Sequence, residues 1–96
     1  MSTDIKEIYD TLYYGGEIEF TYDNSCYIME ASYQNGMCLL TLWRINTLNN
    51  EENTSELYNK IFSHKEQGIH DILNAKIFDN KSFSDIVNKI EIDFIA

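Results

Sequence analysis

Apolar and polar residues alternate in three successive runs between Glu17 and Ile45, and this alternation is the strongest pattern in the chain. Short polar pairs, Asp23-Asn24 and Asn35-Gly36, separate the runs. A period of two is typical of half-buried strands. Asn-Gly favours a type I′ turn, because both central residues of that turn need a positive φ. The pattern therefore predicts a three-stranded antiparallel β-meander.

The two-residue turns also predict the register, in which Gln34 pairs with Met37, Ile28 pairs with Trp43 and Glu19 pairs with Ile28. Side chains alternate between the faces of a sheet. The predicted core face carries Ile18, Phe20, Tyr22, Tyr27, Met29, Ala31, Tyr33, Cys38, Leu40 and Leu42. The second face carries Glu17, Glu19, Thr21, Cys26, Ile28, Glu30, Ser32, Leu39, Thr41, Trp43 and Ile45. A slip by one residue would bury three glutamates, so this register is favoured.

Helical spacing appears on both sides of the meander. Residues 3–14 predict a helix that ends at Gly15-Gly16. Residues 46–53 are polar and predict a loop, and Asn53 or Thr54 then predicts the cap of a second helix. The apolar stripe of that helix, which ends near Gly68, is Leu57, Tyr58, Ile61 and Phe62.

The remaining segment predicts two short helices, a turn and a short strand. A helix is expected around residues 69–73, and Ser82 is expected to cap another one that carries Phe83 and Ile86. Residues 79–81 predict a turn, and the alternating tail from Ile90 to Phe94 predicts a short strand. The fold class is therefore α+β: an N-terminal helix, a three-stranded antiparallel meander, short helices packed on the sheet and a short C-terminal strand.

Composition narrows the class of protein. The 96 residues contain no proline and no repeat, which predicts a single domain over residues 1–96, and 44% apolar residues are typical of a folded globule. No run of about 18 apolar residues predicts a membrane span, and no secretion signal is visible, so a cytoplasmic location is expected. Cys26 and Cys38 are predicted on opposite faces about 23 Å apart along the strands, too far for a disulfide.

The net charge of −9 is unevenly distributed. Residues 1–43 hold seven acidic residues against Lys6 alone, which gives −6. Such acidity disfavours direct binding of nucleic acid, because phosphate contacts need Lys and Arg. It favours a basic protein partner, and the alternative interpretation is that it serves solubility alone.

The candidate catalytic and metal-binding groups all have simpler interpretations. His64 and His70 are six residues apart, unlike the i, i+4 pair of a helical metal site, so solvent-exposed histidines are expected. Neither histidine is near a cysteine in sequence, which disfavours a thiol nucleophile. Glu17 and Glu30 pair across strands as an acid/base pair could, but solvated neighbours are the simpler interpretation. No phosphate-binding glycine loop occurs. We expect no enzymatic activity, no metal and no cofactor.

The second sheet face is the remaining candidate site. It combines Glu17, Glu19 and Glu30 with Ile28 and Trp43. In one interpretation, helices from the second half of the chain cover its apolar part and leave the glutamates at the rim. In the other, Trp43 and its neighbours form a partly exposed protein-binding patch, where aromatic contact supplies affinity and charge supplies steering.

The chain also resembles a group of short proteins from Gram-positive bacteria and their mobile elements. The resemblance rests on residues 16–24 (Gly-Glu-Ile-Glu-Phe-Thr-Tyr-Asp-Asn), residues 73–86 (Leu-Asn-Ala-Lys-Ile-Phe-Asp-Asn-Lys-Ser-Phe-Ser-Asp-Ile) and a closing Ile-Glu-Ile. Residues 46–67 look like an insertion, and Asn24 and Asn80 stand where glycine is usual. Small acidic proteins of this origin include anti-CRISPR inhibitors.

By that analogy we expect a non-enzymatic inhibitor of a basic, nucleic-acid-handling protein, with a CRISPR nuclease as the specific candidate. The alternatives are an immunity protein or antitoxin that neutralises a basic toxin, and a structural domain that forms homo-oligomers.

Overall fold

The computed structural model describes residues 4–48 and 51–96 as one five-stranded antiparallel sheet with helices. The strands are β1 (Glu17–Tyr22), β2 (Ser25–Gln34), β3 (Met37–Leu48), β4 (Glu51–Phe62) and β5 (Glu91–Ile95). The helices are α1 (Ile5–Tyr13), α2 (Lys65–Asn74) and α3 (Phe83–Ile86), and a 3₁₀ turn over Val87–Lys89 follows α3. The strand order is β4-β3-β2-β1-β5, so the sheet is a four-stranded meander with β5 added beside β1.

The predicted turns and register of the first three strands are confirmed. Asp23 and Asn24 have φ values of 49° and 65°, and Asn35 and Gly36 have 54° and 75°, which is the left-handed geometry that a type I′ turn requires. Ile28 pairs with both Glu19 and Trp43, as expected. Asp79-Asn80 repeats this turn geometry, with φ values of 50° and 67° between the bridged residues Phe78 and Lys81.

The prediction of a loop followed by a helix after the third strand was wrong. Strand β3 continues to Leu48, and β4 runs back beside it from Glu51, so the sheet has five strands rather than three. Asn49 and Asn50 of the predicted loop lie outside the described residues. Since the predicted stripe of Leu57, Tyr58, Ile61 and Phe62 belongs to β4, the helices that follow the sheet begin only at Lys65.

A β-bulge explains why β4 has a helix-like pattern. The register of β3 and β4 shifts between Leu42 and Trp43, so that Leu42 pairs with Tyr58 while Trp43 pairs with Glu56. Leu57 is the extra residue of the bulge and interrupts the alternation of period two. Tyr58 and Phe62 then face the helices four residues apart, which is also the spacing of a helical stripe.

All three helices pack on one face of the sheet, which we call the helical face. Ile8 and Leu12 of α1, Ile69 and Ile72 of α2, and Phe83 of α3 are fully buried. Their partners are the fully buried side chains that the sheet contributes, namely Ile18, Phe20, Met29, Leu40 and Leu42. The predicted core face is therefore the observed core, except that Tyr22 is only half-buried and Tyr33, at the end of β2, is 40% exposed.

Local signals set the ends of the helices. The Asp4 carboxylate accepts a hydrogen bond from the Lys6 amide at 2.9 Å and caps α1. Ser82 and Asp85 form a capping box at α3, as the sequence predicted for Ser82.

Both cysteines are free, with Cys38 buried and Cys26 exposed. Within the described ranges, no helix has the length and apolar content that a membrane span requires.

A polar cluster joins β4 to α2 on the helical face. The Asp71 carboxylate accepts a hydrogen bond from the Tyr58 hydroxyl and forms an ion pair with the Lys60 ammonium at 3.3 Å. These two partners lower the pKa of Asp71, whereas burial and the same hydrogen bond raise the pKa of Tyr58. The Lys60 ammonium also lies 5.2 Å from the centre of the Tyr58 ring. The cluster attaches the edge strand to the helix.

Candidate protein-binding face

The face of the sheet opposite the helices, which we call the open face, contains all five predicted site residues. Glu17 pairs with Glu30 across β1 and β2. One row further along, Glu19, Ile28 and Trp43 are successive cross-strand neighbours. The described helices pack on the other side, so the interpretation in which they cover this face was wrong.

The cross-strand rows of the open face continue onto β4 and β5, whose pairing partners the sequence did not predict. Phe94 of β5 pairs with Glu19, and Glu56 of β4 pairs with Trp43. Five strands therefore contribute one row, Phe94–Glu19–Ile28–Trp43–Glu56, in which apolar side chains are flanked by carboxylates. A second apolar group continues along β3 and β4, where Leu39 pairs with Ile61.

Exposure differs sharply between the two faces. On the open face Ile61 is 64% exposed and Phe94 is 46% exposed, and Ile28, Leu39 and Trp43 are only half-buried. Singly exposed apolar side chains are normal on a protein surface, but a group of them on one sheet face is typical of an interaction site.

Charge is also divided between the faces. Glu17, Glu19, Glu30 and Glu56 lie on the open face, and no open-face position of the described strands carries Lys or Arg. The ion pairs found in residues 4–48 and 51–96 are Lys6–Asp10, Lys60–Asp71 and Lys76–Asp85, all outside this face. The open face is thus uniformly acidic, while acids and bases are mixed on the helical side.

Glu17 and Glu30 form a directly opposed pair of carboxylates. Partial burial of Glu17, together with the neighbouring Glu30 carboxylate, raises the pKa of Glu17. The structure therefore places two like charges side by side without a neutralising base. A cation placed between the Glu17 and Glu30 carboxylates would relieve this repulsion.

A shallow depression of about 300 Å³ lies beside this pair. Glu17, Ile28, Glu30, Trp43 and Thr54 line it. Its lining combines two carboxylates, an indole ring and an aliphatic side chain, which together suit a group that is both cationic and flat.

Sequence reasoning missed Thr54, Glu56, Ile61 and Phe94 as members of this face. The first three were assigned to a loop or a helix, so their orientation in the sheet could not be deduced. Phe94 was assigned correctly to a strand, but only the pairing of β5 with β1 places it beside Glu19.

The other candidate groups are dispersed. Cys26 is on the open face and its sulfur lies 3.7 Å from the Thr21 hydroxyl, whereas Cys38 is buried on the helical face. His70 packs against the Tyr9 ring with ring centres 5.4 Å apart, and His64 precedes α2. Burial raises the pKa of the Cys38 thiol, which disfavours its reactive thiolate form. No three His, Cys, Asp or Glu side chains of the described residues are grouped as metal ligands.

Comparison with protein-family models, with curated protein sequences and with solved structures gives no match for this chain. The open face is therefore the feature of this chain from which a function can be inferred.

Proposed function

We propose that this protein is a non-enzymatic inhibitor that uses its open face to cover a basic, nucleic-acid-binding surface of another protein. The single observation that carries the proposal is the charge and exposure of that face. Four glutamates surround half-buried Ile28 and Trp43, with no Lys or Arg among the described open-face positions. Such a surface is complementary to a groove whose cations bind phosphate.

The division between contact and steering follows from the positions of these residues. Trp43 lies between Ile28 and Glu56 in the row, where a partner would exclude water from the indole ring and gain contact energy. The glutamates lie around it and remain accessible, so their field acts on the approach of the partner. A CRISPR nuclease is the specific candidate partner, because such enzymes hold nucleic acid in a positively charged channel and read a short flanking motif through arginines.

The test measures whether the protein prevents a purified, guide-loaded CRISPR nuclease of a Gram-positive bacterium from binding its target duplex. The open-face variant replaces Glu17, Glu19 and Glu30 with lysine. The control replaces Glu7, Asp10 and Glu66, which lie on α1 and α2, with lysine. Both triple variants change the net charge from −9 to −3. The control also removes the Lys6–Asp10 ion pair, which is solvent-exposed and contributes at most about 1 kcal/mol to stability.

We expect wild type and the control to block duplex binding and the open-face variant to lose the block. Equal loss in both variants would contradict a role for the open face, because only overall charge would matter. An absence of inhibition by wild type would overturn the CRISPR nuclease as the partner.

The second candidate is an immunity protein or antitoxin, and the same acidic face supports it. It differs in the partner, which would be a basic toxin rather than a defence nuclease. Co-expression with toxins from the same genomic neighbourhood tests it, since rescue of growth that depends on Glu17, Glu19 and Glu30 would favour this function over the first.

A self-associating structural domain is the third candidate. Strand β4 is a 12-residue edge strand, which could pair with a second copy. However, it contains a bulge at Leu57 and a lysine, Lys60, that points toward the helical face, and both features oppose edge pairing. Sizing chromatography tests this alternative, and a stable dimer would favour it.

A further inference from the structure

The depression beside Trp43 has the chemistry of a site for one arginine side chain. We propose that it binds an arginine guanidinium group of the partner, between the Glu17–Glu30 carboxylate pair and the Trp43 ring. This inference rests on the proposed function, because it names the group by which the open face would recognise a basic protein.

The two carboxylates stand close enough to share one planar donor group. Glu17 and Glu30 are directly opposed on neighbouring antiparallel strands, where directly opposed side chains are about 5 Å apart at Cβ. A guanidinium group presents several N–H donors in one plane, so it can donate to both carboxylates at once. A lysine ammonium is a compact, strongly hydrated charge and lacks this planar donor set.

The walls of the depression suit a flat cation. Trp43 and Ile28 line the same space as the two carboxylates, and Thr54 of β4 lines it as well. Cations are attracted to the face of an indole ring, and the flat guanidinium also stacks on it. The volume of about 300 Å³ is at the lower end of the range for small-molecule sites, which suits the end of one side chain better than a whole ligand.

Carboxylates on the other side of the sheet differ in that lysines neutralise them. On the helical side, Lys60 reaches Asp71 and Lys76 reaches Asp85, so those carboxylates are already paired. Glu17 and Glu30 have no such neighbour among the described residues. The arginine therefore has to come from another molecule.

Two short peptides test the inference, each acetylated and amidated, with two arginines or two lysines among glycines. Trp43 is the only tryptophan of the chain, so its fluorescence reports on the depression directly. We expect the arginine peptide to change this fluorescence and to bind at least about fivefold more tightly than the lysine peptide at equal salt. The double variant Glu17→Gln, Glu30→Gln should lose that preference, while Glu7→Gln on α1 should keep it.

The outcomes separate this inference from the function on which it rests. Equal affinity for the two peptides, or an arginine preference that survives in the double glutamine variant, would overturn the guanidinium site. Neither result would affect inhibition of duplex binding by the open face as a whole. Loss of the preference in Trp43→Leu, measured by calorimetry because the fluorophore is gone, would support the stacking contact, and an unchanged preference would overturn it.

Discussion

The two faces of the sheet are formed by the same strands, but one is buried in the core and the other is largely exposed. On the helical face Phe20 is fully buried and its ring lies 5.2 Å from those of Tyr27 and Phe83. On the open face the next residue, Thr21, is only half-buried and donates a hydrogen bond to Asp93. One residue along the strand thus separates a position that stabilises the fold from a position free to meet a partner. The comparison indicates that stability and binding can be altered independently in this chain.

The largest expected effect comes from the helical face. Replacing Phe20 with alanine should lower the free energy of unfolding by about 3–5 kcal/mol, because the surrounding rings cannot fill the cavity. Thr21→Ala should cost far less, since the lost hydrogen bond joins two solvent-accessible groups. Urea unfolding midpoints of the two variants measure the difference. Equal losses would contradict the assignment of the faces.

A second test concerns how tightly α2 packs on the helical face. A Cβ atom at Gly68 would lie 2.7 Å from Phe62 and 2.8 Å from Leu40. Gly68→Ala should therefore destabilise the protein by about 1–3 kcal/mol through overpacking, although alanine favours a helix by up to about 1 kcal/mol. The exposed neighbouring change Gln67→Ala is the control, with an expected effect within about 0.5 kcal/mol. A more stable Gly68→Ala variant would show that α2 is not held close to β3 and β4.

The first three strands and β4 differ in how far they could be predicted from the sequence. The first three strands were predictable because Asp23-Asn24 and Asn35-Gly36 specify tight turns and the glutamates allow one register. Strand β4 was not predictable from periodicity, because the bulge residue Leu57 and the open-face residue Ile61 combine with Tyr58 and Phe62 into a stripe with helical spacing. Asn53 and Thr54 also favoured the wrong prediction of a helix, because both are common helix caps, although they are compatible with a strand as well.

The candidate site was predictable only in part. The register alone brings Glu17, Glu19, Ile28, Glu30 and Trp43 onto one face. The sequence predicts the core face, but it leaves open whether later helices also cover Ile28 and Trp43 on the second face. Burial of Phe20 and Met29 is favourable, whereas burial of unpaired glutamates is costly, and this difference selects the helical face.

The third prediction concerns the rate of association with the partner. At low salt, the open-face variant with lysine at positions 17, 19 and 30 should associate about tenfold more slowly than the control with lysine at positions 7, 10 and 66. Added salt should slow wild type as well, because exposed charges are screened beyond about 8 Å at physiological ionic strength. Stopped-flow binding at several salt concentrations measures both effects. Equal rates for the two variants would rule out steering by the open face.

The smallest expected effect is a pH dependence on the open face itself. The folded protein raises the pKa of Glu17, so it binds that proton more tightly than the unfolded chain does. This contribution favours folding at low pH and is lost as the pH rises from the unfolded value through the folded value. Glu17→Gln should therefore be slightly more stable than wild type at pH 7, within about 0.5 kcal/mol, and show no such gain at pH 3.

A double-mutant cycle checks the origin of that effect. In a Glu30→Gln background the neighbouring negative charge is absent, so Glu17→Gln should gain less stability at pH 7. Thermal unfolding of the four proteins at both pH values gives the coupling. An equal gain in both backgrounds would assign the raised pKa to burial alone.

The central claim is that Trp43 lies on an uncovered, acidic face, and collisional quenching of its fluorescence tests this most directly. As the only tryptophan, it reports on that face alone. We expect acrylamide to quench it readily, and caesium to quench it more efficiently than iodide at low ionic strength, because the glutamates attract cations and repel anions. The difference should diminish in 1 M salt, where the screening length is about 3 Å. A blue-shifted emission that resists all three quenchers would contradict the claim, because it would mean that the face is covered.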